Sequence, residues 1–180
     1  MRTILLLLLG MSLWWACENS PEDLAAMQQR MDTQVERATD VEILYSDSAQ
    51  IQVRITGDVM LNYLDPTNQR QEFTEGAYVE FFGPTGRVTS TLSAQYAMRY
   101  ERDQRVLARD SVVWSSIDGQ MLETEELIWD EKRQEIYTQK FARITTPREI
   151  IYGHGFRANQ DFSDARILQI EGITTIDVPE

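Results

Sequence analysis

The sequence has very little of the two residues that most often carry site chemistry. In 180 residues it holds one cysteine, Cys17, and one histidine, His154. A lone cysteine cannot form an internal disulfide. The presence of only one cysteine and one histidine also argues against a zinc site and against most histidine-dependent catalysis. We therefore predict no catalytic residue, no metal and no cofactor.

Positive charge is also scarce. The 17 lysines and arginines face 29 aspartates and glutamates, which gives a net charge of −12 and a pI of about 4.5. A protein that binds nucleic acid needs a basic face for the phosphate backbone. We therefore expect no nucleic-acid partner.

The sequence lacks an apolar run of the roughly twenty residues that a membrane-spanning helix requires. Its apolar start follows Arg2 and covers only about a dozen residues before Cys17, which is typical of a secretory signal peptide over residues 1–16. The small residue Ala16 directly before Cys17 resembles a bacterial lipobox, although Trp14 stands where leucine is usual. In that motif the cysteine becomes the lipidated first residue of the mature protein.

Two readings of Cys17 remain. Lipidation leaves no free thiol in an oxidising compartment and, with more than one chain such as palmitate, gives firm membrane anchoring. The alternative is ordinary cleavage near Ala16, which leaves an unpaired cysteine. Glu18 follows Cys17 and leaves the choice between inner and outer membrane open. We predict a lipid anchor on the periplasmic side of the inner membrane.

Residues 17–40 form a polar segment between this cysteine and the predicted domain. Leu24, Met27, Met31 and Val35 recur every three or four residues, which indicates a short amphipathic helix. A disordered tether is the alternative. We expect the folded domain to cover residues 41–180.

That domain shows the two-residue alternation of half-buried strands, with turns about every ten residues. The clearest stretch is Gly119 to Phe156, where polar turns at residues 130–134 and 146–149 separate three strands. Further turns are predicted at Gly57-Asp58 and Asp65-Pro66-Thr67-Asn68. The pattern predicts an all-β protein of antiparallel strands with no βαβ alternation.

A faint repeat of about thirty residues runs through the domain. Leu92 to Ala108, with its polar run at 101–105, matches Leu122 to Thr138, with its polar turn at 130–134. Amphipathic units of this kind bury their apolar faces by stacking. The alternative is that any β-meander is weakly repetitive.

Several strand and turn patterns occur in an order that resembles one known family, the lipopolysaccharide export protein LptC. The segments that carry the resemblance are Tyr45-Ser-Asp47, Phe73-Thr-Glu75-Gly76, Val79-Glu-Phe81-Phe82, Leu92-x-Ala94, Leu127-Ile-Trp129-Asp130, Ile136-Tyr-Thr138 and Ile150-Ile-Tyr-Gly-x-Gly-Phe156-x-Ala158. The resemblance covers roughly residues 41–178 and implies a single twisted, open β-jelly roll.

The resemblance also implies a function without catalysis. A protein of this family receives lipopolysaccharide from an LptB, LptF and LptG transporter and passes it to an LptA-like β-jelly roll. Well-known members carry an N-terminal transmembrane helix, whereas this chain has a signal segment and Cys17 in its place. An adaptor lipoprotein that docks β-jelly rolls without carrying lipid is the alternative.

An apolar trough between strands would shield acyl chains, whose exposure costs about 0.8 kcal/mol per methylene. For any one candidate lining residue, plain core packing is the competing role. The candidates are Val53, Ile55, Val79, Phe81, Leu122, Leu127, Trp129, Ile136, Phe141, Ile144, Ile151 and Phe156.

Charged residues in the same region offer a weaker, enzymatic alternative. Paired carboxylates hydrolyse glycosides, but the acidic residues here fall on a predicted strand face and turn, which is typical of a solvated surface. They are Glu123, Glu125, Glu126, Asp130 and Glu131.

Overall fold

The computed structural model describes residues 35–159, 162 and 164–176, and these residues form strands joined by turns and loops. All of the strands belong to one sheet, and every strand pair is antiparallel. This confirms the predicted all-β fold and is consistent with a β-jelly roll. The eleven strands are β1 (Val35–Asp47), β2 (Gln50–Tyr63), β3 (Arg70–Phe73), β4 (Ala77–Phe82), β5 (Val88–Ala94), β6 (Tyr96–Tyr100), β7 (Arg105–Ser116), β8 (Met121–Asp130), β9 (Glu135–Thr145), β10 (Glu149–Asn159) and β11 (Arg166–Thr175).

The first strand starts earlier than the sequence suggested. β1 begins at Val35, inside the segment 17–40 that was assigned to the tether, and the compact unit of strands also begins there. The predicted signal peptide, the lipidation of Cys17 and the helix or tether over residues 18–34 lie outside the described residues.

The turns of the thirty-residue repeat have matching geometry. β6 and β7 are joined by residues 101–104, and β8 and β9 by residues 131–134. Each connection ends in a glutamine with left-handed backbone, Gln104 at φ 52° and Gln134 at φ 53°. The repeated sequence therefore builds the same tight reversal twice.

Most long strands are interrupted near their middle. β7 pairs with β6 through residues 105–109 and with β5 through residues 113–116, and between these halves Asp110 and Ser111 have φ values of 62° and 56°. The register also shifts at Gly155 in β10, which has a positive φ, and Asp40 in β1 has a positive φ without a shift of register. We call the line of breaks the crease, since the strand changes direction at each bulge.

The crease divides the sheet into two leaves, and every long strand contributes one half to each. The first leaf contains residues 35–39, 59–63, 70–73, 96–100, 105–109, 126–130, 135–138, 156–159 and 166–167, and the second leaf contains residues 41–46, 50–57, 77–82, 88–94, 112–116, 121–124, 141–145, 149–153 and 170–175.

The predicted turn at Gly57-Asp58 is wrong, because β2 runs unbroken through both residues. A Cβ atom on Gly57 would lie 2.5 Å from Cδ1 of Phe73 and 2.9 Å from the carbonyl oxygen of Gly76. Gly57 is therefore needed for the close approach of the Phe73 ring at the crease. Close approach of a neighbouring group is, like a turn or a bulge, a common reason for glycine within a strand.

The core lies between the two leaves. Its main cluster joins Leu127 and Phe156 of the first leaf to Trp114 and Leu122 of the second. A smaller cluster around Phe73 lies towards β1 and β2. Because each cluster draws side chains from both leaves, the leaves face each other across an apolar space, which we call the groove.

Candidate functional site

One row of large apolar side chains crosses the whole second leaf, from the first strand to the last. Each member is the direct cross-strand partner of the next, so all of the side chains project from the same face of the sheet. We call this row the apolar ladder. Its nine residues are Ile43, Ile55, Val79, Leu92, Trp114, Leu122, Ile144, Ile151 and Ile173.

The side chains of the ladder are most deeply buried at its centre. Trp114 is 7% exposed and Leu122 is 2% exposed, whereas Ile173 on β11 is 57% exposed. Ile43 on β1 is only partly buried. The row therefore continues to both ends of the sheet and loses its cover on the last strand.

Small residues fill the row next to the crease, where the two leaves come closest. Large side chains would not fit at this depth without forcing the leaves apart. The row consists of Gly57, Ala77, Ala94, Val112, Thr124, Ala142 and Gly153.

The first leaf supplies the opposite wall, and its character changes along the sheet. One row of cross-strand partners begins with the polar residues Asn62, Gln71 and Arg99. It continues with the apolar partners Val106 and Trp129. The groove is therefore polar on this wall near β2 and β3 and apolar near β8 and β9.

Arg99 on this wall is held by an acidic partner. Its guanidinium group donates two hydrogen bonds to the carboxylate of Glu131, at 3.0 and 3.3 Å. These bonds and the charge of Glu131 raise the pKa of Arg99, and Tyr45 of the second leaf adds a smaller contribution.

The structure places all but one of the predicted lining residues on faces that enclose the groove. These residues come from both leaves, and four of them belong to the main core cluster, namely Leu122, Leu127, Ile136 and Phe156. The full set is Val53, Ile55, Val79, Phe81, Leu122, Leu127, Trp129, Ile136, Ile144, Ile151 and Phe156.

Phe141 is the exception, and we correct its assignment. It is 43% exposed and packs on the outer face against Tyr152 and His154, with ring centroids 6.1 and 5.6 Å away. Its neighbour Ala142 is completely buried. Alternation therefore turns Ala142 inward at the crease and Phe141 outward.

Four ladder residues were missed by sequence reasoning. The strand patterns containing Leu92 and Trp114 were recognised, but the alternation was not followed across the neighbouring strands. The missed residues are Ile43, Leu92, Trp114 and Ile173. Ile43, Leu92 and Trp114 could have been found by following the inward-facing alternation of Ile55 and Leu122 into the neighbouring strands.

The two tryptophans of the groove carry unpaired polar atoms. Nε1 of Trp114 and Nε1 of Trp129 are buried and have no hydrogen-bond partner among the described residues. An unpaired buried donor costs about 1–3 kcal/mol. The ring of Trp114 also stacks on Phe162 at a centroid distance of 4.1 Å.

Three of the five acidic residues considered for catalysis, Glu123, Asp130 and Glu131, have arginine partners. Asp130 pairs with Arg105 at 3.4 Å, and Glu123 lies 3.8 Å from Arg143. The backbone N–H of Arg133 and then the side chain of Arg105 lower the pKa of Asp130. These contacts give Asp130 and Glu123 structural roles at strand ends and faces.

His154 lies outside the groove. Its Nδ1 is 2.6 Å from Oε1 of Glu171 on the neighbouring strand, and both side chains are about half exposed. In the part of the chain that the structure describes, no three histidine, cysteine or acidic side chains are grouped as metal ligands. Nor does that part contain a helix with the length and hydropathy of a membrane span.

In the part of the chain that the structure describes, the strand at each end of the sheet has one edge without a partner strand. Among the described residues, β1 pairs only with β2 and β11 pairs only with β10. The unpaired backbone groups of such strands can pair with a strand of another chain. The apolar ladder thus runs between two surfaces that are open to strand addition.

Fold and site together define a class of protein: within the described residues, a single creased β-sheet encloses an apolar groove, and its first and last strands are each paired on one side only. The family described as lipopolysaccharide-assembly, LptC-related matches residues 3–174, and the chain belongs to this family. This confirms the resemblance found in the sequence. None of the curated proteins matches the chain. The family takes part in lipopolysaccharide transport on the periplasmic side of the inner membrane and is not known for catalysis.

Proposed function

We propose that this protein is a non-enzymatic carrier in lipopolysaccharide transport. It accepts the lipid from an inner-membrane ABC transporter of the LptB, LptF and LptG type and passes it to an LptA-like β-jelly roll. The observation that carries the proposal is the apolar ladder, which extends across every long strand from Ile43 on β1 to Ile173 on β11.

Burial of acyl chains supplies the driving force for holding the lipid. Each methylene removed from water contributes about 0.8 kcal/mol, so a chain lying along the ladder is stabilised over its whole length. The ladder offers similar aliphatic side chains at successive strands, so a chain can move along it between positions of similar affinity. Such a surface suits transfer better than one deep pocket would.

The free edges of β1 and β11 support a role in a chain of similar domains. A neighbouring jelly roll that adds a strand to either edge continues the sheet and covers the exposed end of the ladder. We propose that the transporter and the LptA-like protein dock at these edges. We also propose that lipid on Cys17 anchors the protein to the inner membrane.

A pair of photocrosslinking variants tests lipid passage. Trp129 faces the groove and Phe141 lies on the outer face, so replacing each with p-benzoylphenylalanine compares two aromatic positions on the same protein. We expect a lipopolysaccharide adduct at position 129 that requires ATP hydrolysis by the transporter, and none at position 141. Equal labelling of the two positions would contradict the proposal.

The second candidate is an adaptor lipoprotein that joins β-jelly rolls and holds no lipid. Tight packing at the centre of the ladder, where Leu122 is fully enclosed, favours it. An adaptor would crosslink to neighbouring proteins from a probe at Ile173 but would give no lipid adduct at position 129. A carrier gives both products.

A further inference from the structure

Two indole groups lie on opposite walls of the groove. Trp114 belongs to the ladder of the second leaf, where Leu122 is its cross-strand partner. Trp129 lies on the first leaf, where Ile136 is its partner. Trp114 belongs to the main core cluster and Trp129 packs against it, so both indoles border the same apolar space.

The neighbours of these indoles in the core are apolar, but each indole carries a polar N–H group. An indole N–H can only donate a hydrogen bond, and a buried one usually has an acceptor. Neither Nε1 atom has an acceptor among the described residues, and Trp114 is more than nine-tenths buried. Phenylalanine or leucine would fill an apolar site without enclosing a donor, so packing alone does not account for two tryptophans.

We infer that Trp114 and Trp129 are specificity-determining donors for oxygen atoms carried on a bound acyl chain. The ligand class is an acyl lipid whose chains bear hydroxyl or ester oxygens, as opposed to unsubstituted chains. A ligand that is otherwise apolar can carry an acceptor into an apolar groove, because burial of its hydrocarbon offsets the cost of removing the oxygen from water. The inference rests on the proposed lipid-carrying function and adds a chemical preference to it.

The two donors also fix how deep the chain lies. Apolar contacts along the ladder are similar at each step, so they do not distinguish one position of the chain from the next. A hydrogen bond is directional and requires a short donor–acceptor distance. An oxygenated carbon opposite the indoles therefore defines one preferred position, which a plain hydrocarbon chain lacks.

Equilibrium binding of two probes of equal length tests this inference. Tritiated 3-hydroxytetradecanoic acid and tetradecanoic acid are measured against the full chain in lipid nanodiscs. For the natural protein we expect the hydroxylated probe to bind about threefold to tenfold more tightly, which is the usual worth of one or two neutral hydrogen bonds. The ratio of the two Kd values is then compared between proteins, so partitioning of the probes into the nanodisc cancels.

Isosteric variants separate loss of the donor from loss of packing. Benzothienylalanine replaces the indole N–H with sulfur and keeps the bicyclic shape, so at positions 114 and 129 together it should bring the ratio of the two Kd values close to one, whatever its effect on the affinity for tetradecanoic acid. The double variant W114F/W129F is the genetically simple version. Its thermal unfolding is measured in parallel to verify that it folds.

A spectroscopic readout follows the donors directly. In protein labelled with 15N-tryptophan, the Nε1–H resonances of Trp114 and Trp129 are assigned from the single variants. We expect them to move downfield with 3-hydroxytetradecanoic acid and to move much less with tetradecanoic acid.

Each outcome decides the question. If both probes bind the natural protein with equal affinity, the donor inference is overturned while the carrier function stands. If neither probe binds, both fail together. A preference that survives the benzothienyl replacement also overturns the inference, since it would then come from another group.

Discussion

Ile151 and Ile173 lie directly opposite each other on β10 and β11, and the apolar ladder ends at this pair. Ile151 is packed against the main core, whereas Ile173 stands 57% exposed on the last strand. An apolar side chain on a free edge, in line with a covered apolar row, has the properties of a surface that another sheet covers.

Replacing Ile173 with aspartate should therefore weaken docking of a neighbouring jelly roll without unfolding the protein. Burying the new charge in the junction should reduce association by roughly tenfold or more. The recovery of an LptA-like partner in pull-downs measures this. Thr174→Asp, on the opposite face of the same strand, is the matched control and should leave association much closer to normal.

A second prediction concerns the centre of the ladder. Leu122→Ala should lower the free energy of unfolding by about 2–5 kcal/mol, since the enclosed site cannot collapse fully around the smaller side chain. Urea denaturation monitored by tryptophan fluorescence gives this value. Ile117→Ala removes an aliphatic side chain that is 72% exposed and should change stability by no more than about 0.5 kcal/mol. Similar losses for the two variants would argue against a packed centre.

Gly57 provides a test of the crease. Gly57→Ala should cost about 1–3 kcal/mol, because its Cβ would lie 2.5 Å from the Phe73 ring. The cost should be smaller in a Phe73→Leu background, and a double-mutant cycle measures the difference. Asp58→Ala, at the exposed neighbouring position, is the control. Additive effects at Gly57 and Phe73 would show that the ring does not constrain this strand.

Asp130 makes the stability of the domain depend on pH. The Arg133 backbone N–H and the Arg105 side chain lower the pKa of Asp130 below its ordinary value of 3.8, so folding favours the ionised form. Its stabilisation is complete above about pH 4 and is lost as the pH falls through the lower pKa of the folded state. Asp130→Asn should therefore destabilise the protein at pH 7, and the difference from the natural protein should shrink between pH 4 and pH 2.

Urea midpoints at pH 7, 4 and 2.5 measure this dependence. Asp118→Asn is the control, since Asp118 is exposed in a turn. A loss at Asp130 that stays constant across the pH range would mean that the carboxylate charge is not the cause.

Local patterns predicted much of this fold. Alternation and polar turns identified β8, β9 and β10 with their connections, because each strand has one face against the core and each turn is solvated. The repeat was visible for the same reason. The prediction of a turn at Gly57 was wrong because the glycine is required by the close approach of the Phe73 ring. Phe73 is sixteen positions away in the chain and is adjacent to Gly57 only in the folded sheet.

The groove was harder to predict than the strands. Phe141 was assigned to the lining because it is large and apolar, but the crease admits only a small side chain at its inward neighbour Ala142. The ladder itself depends on the register of successive strand pairs, which Trp114 and Leu92 illustrate. Register is set by bulges and turns together, so a single strand's pattern does not reveal it.

The register of the apolar ladder has a consequence for how such proteins can vary in size. Nine of the eleven strands contribute one residue each to the ladder, and neighbouring strands are about 4.8 Å apart, so the nine residues give an apolar track of roughly 40 Å. Inserting or deleting one hairpin would lengthen or shorten the track by about 10 Å and leave its cross-section unchanged. The length and the width of the apolar track can thus vary independently. The number of hairpins sets the length, and the small residues along the crease set the width.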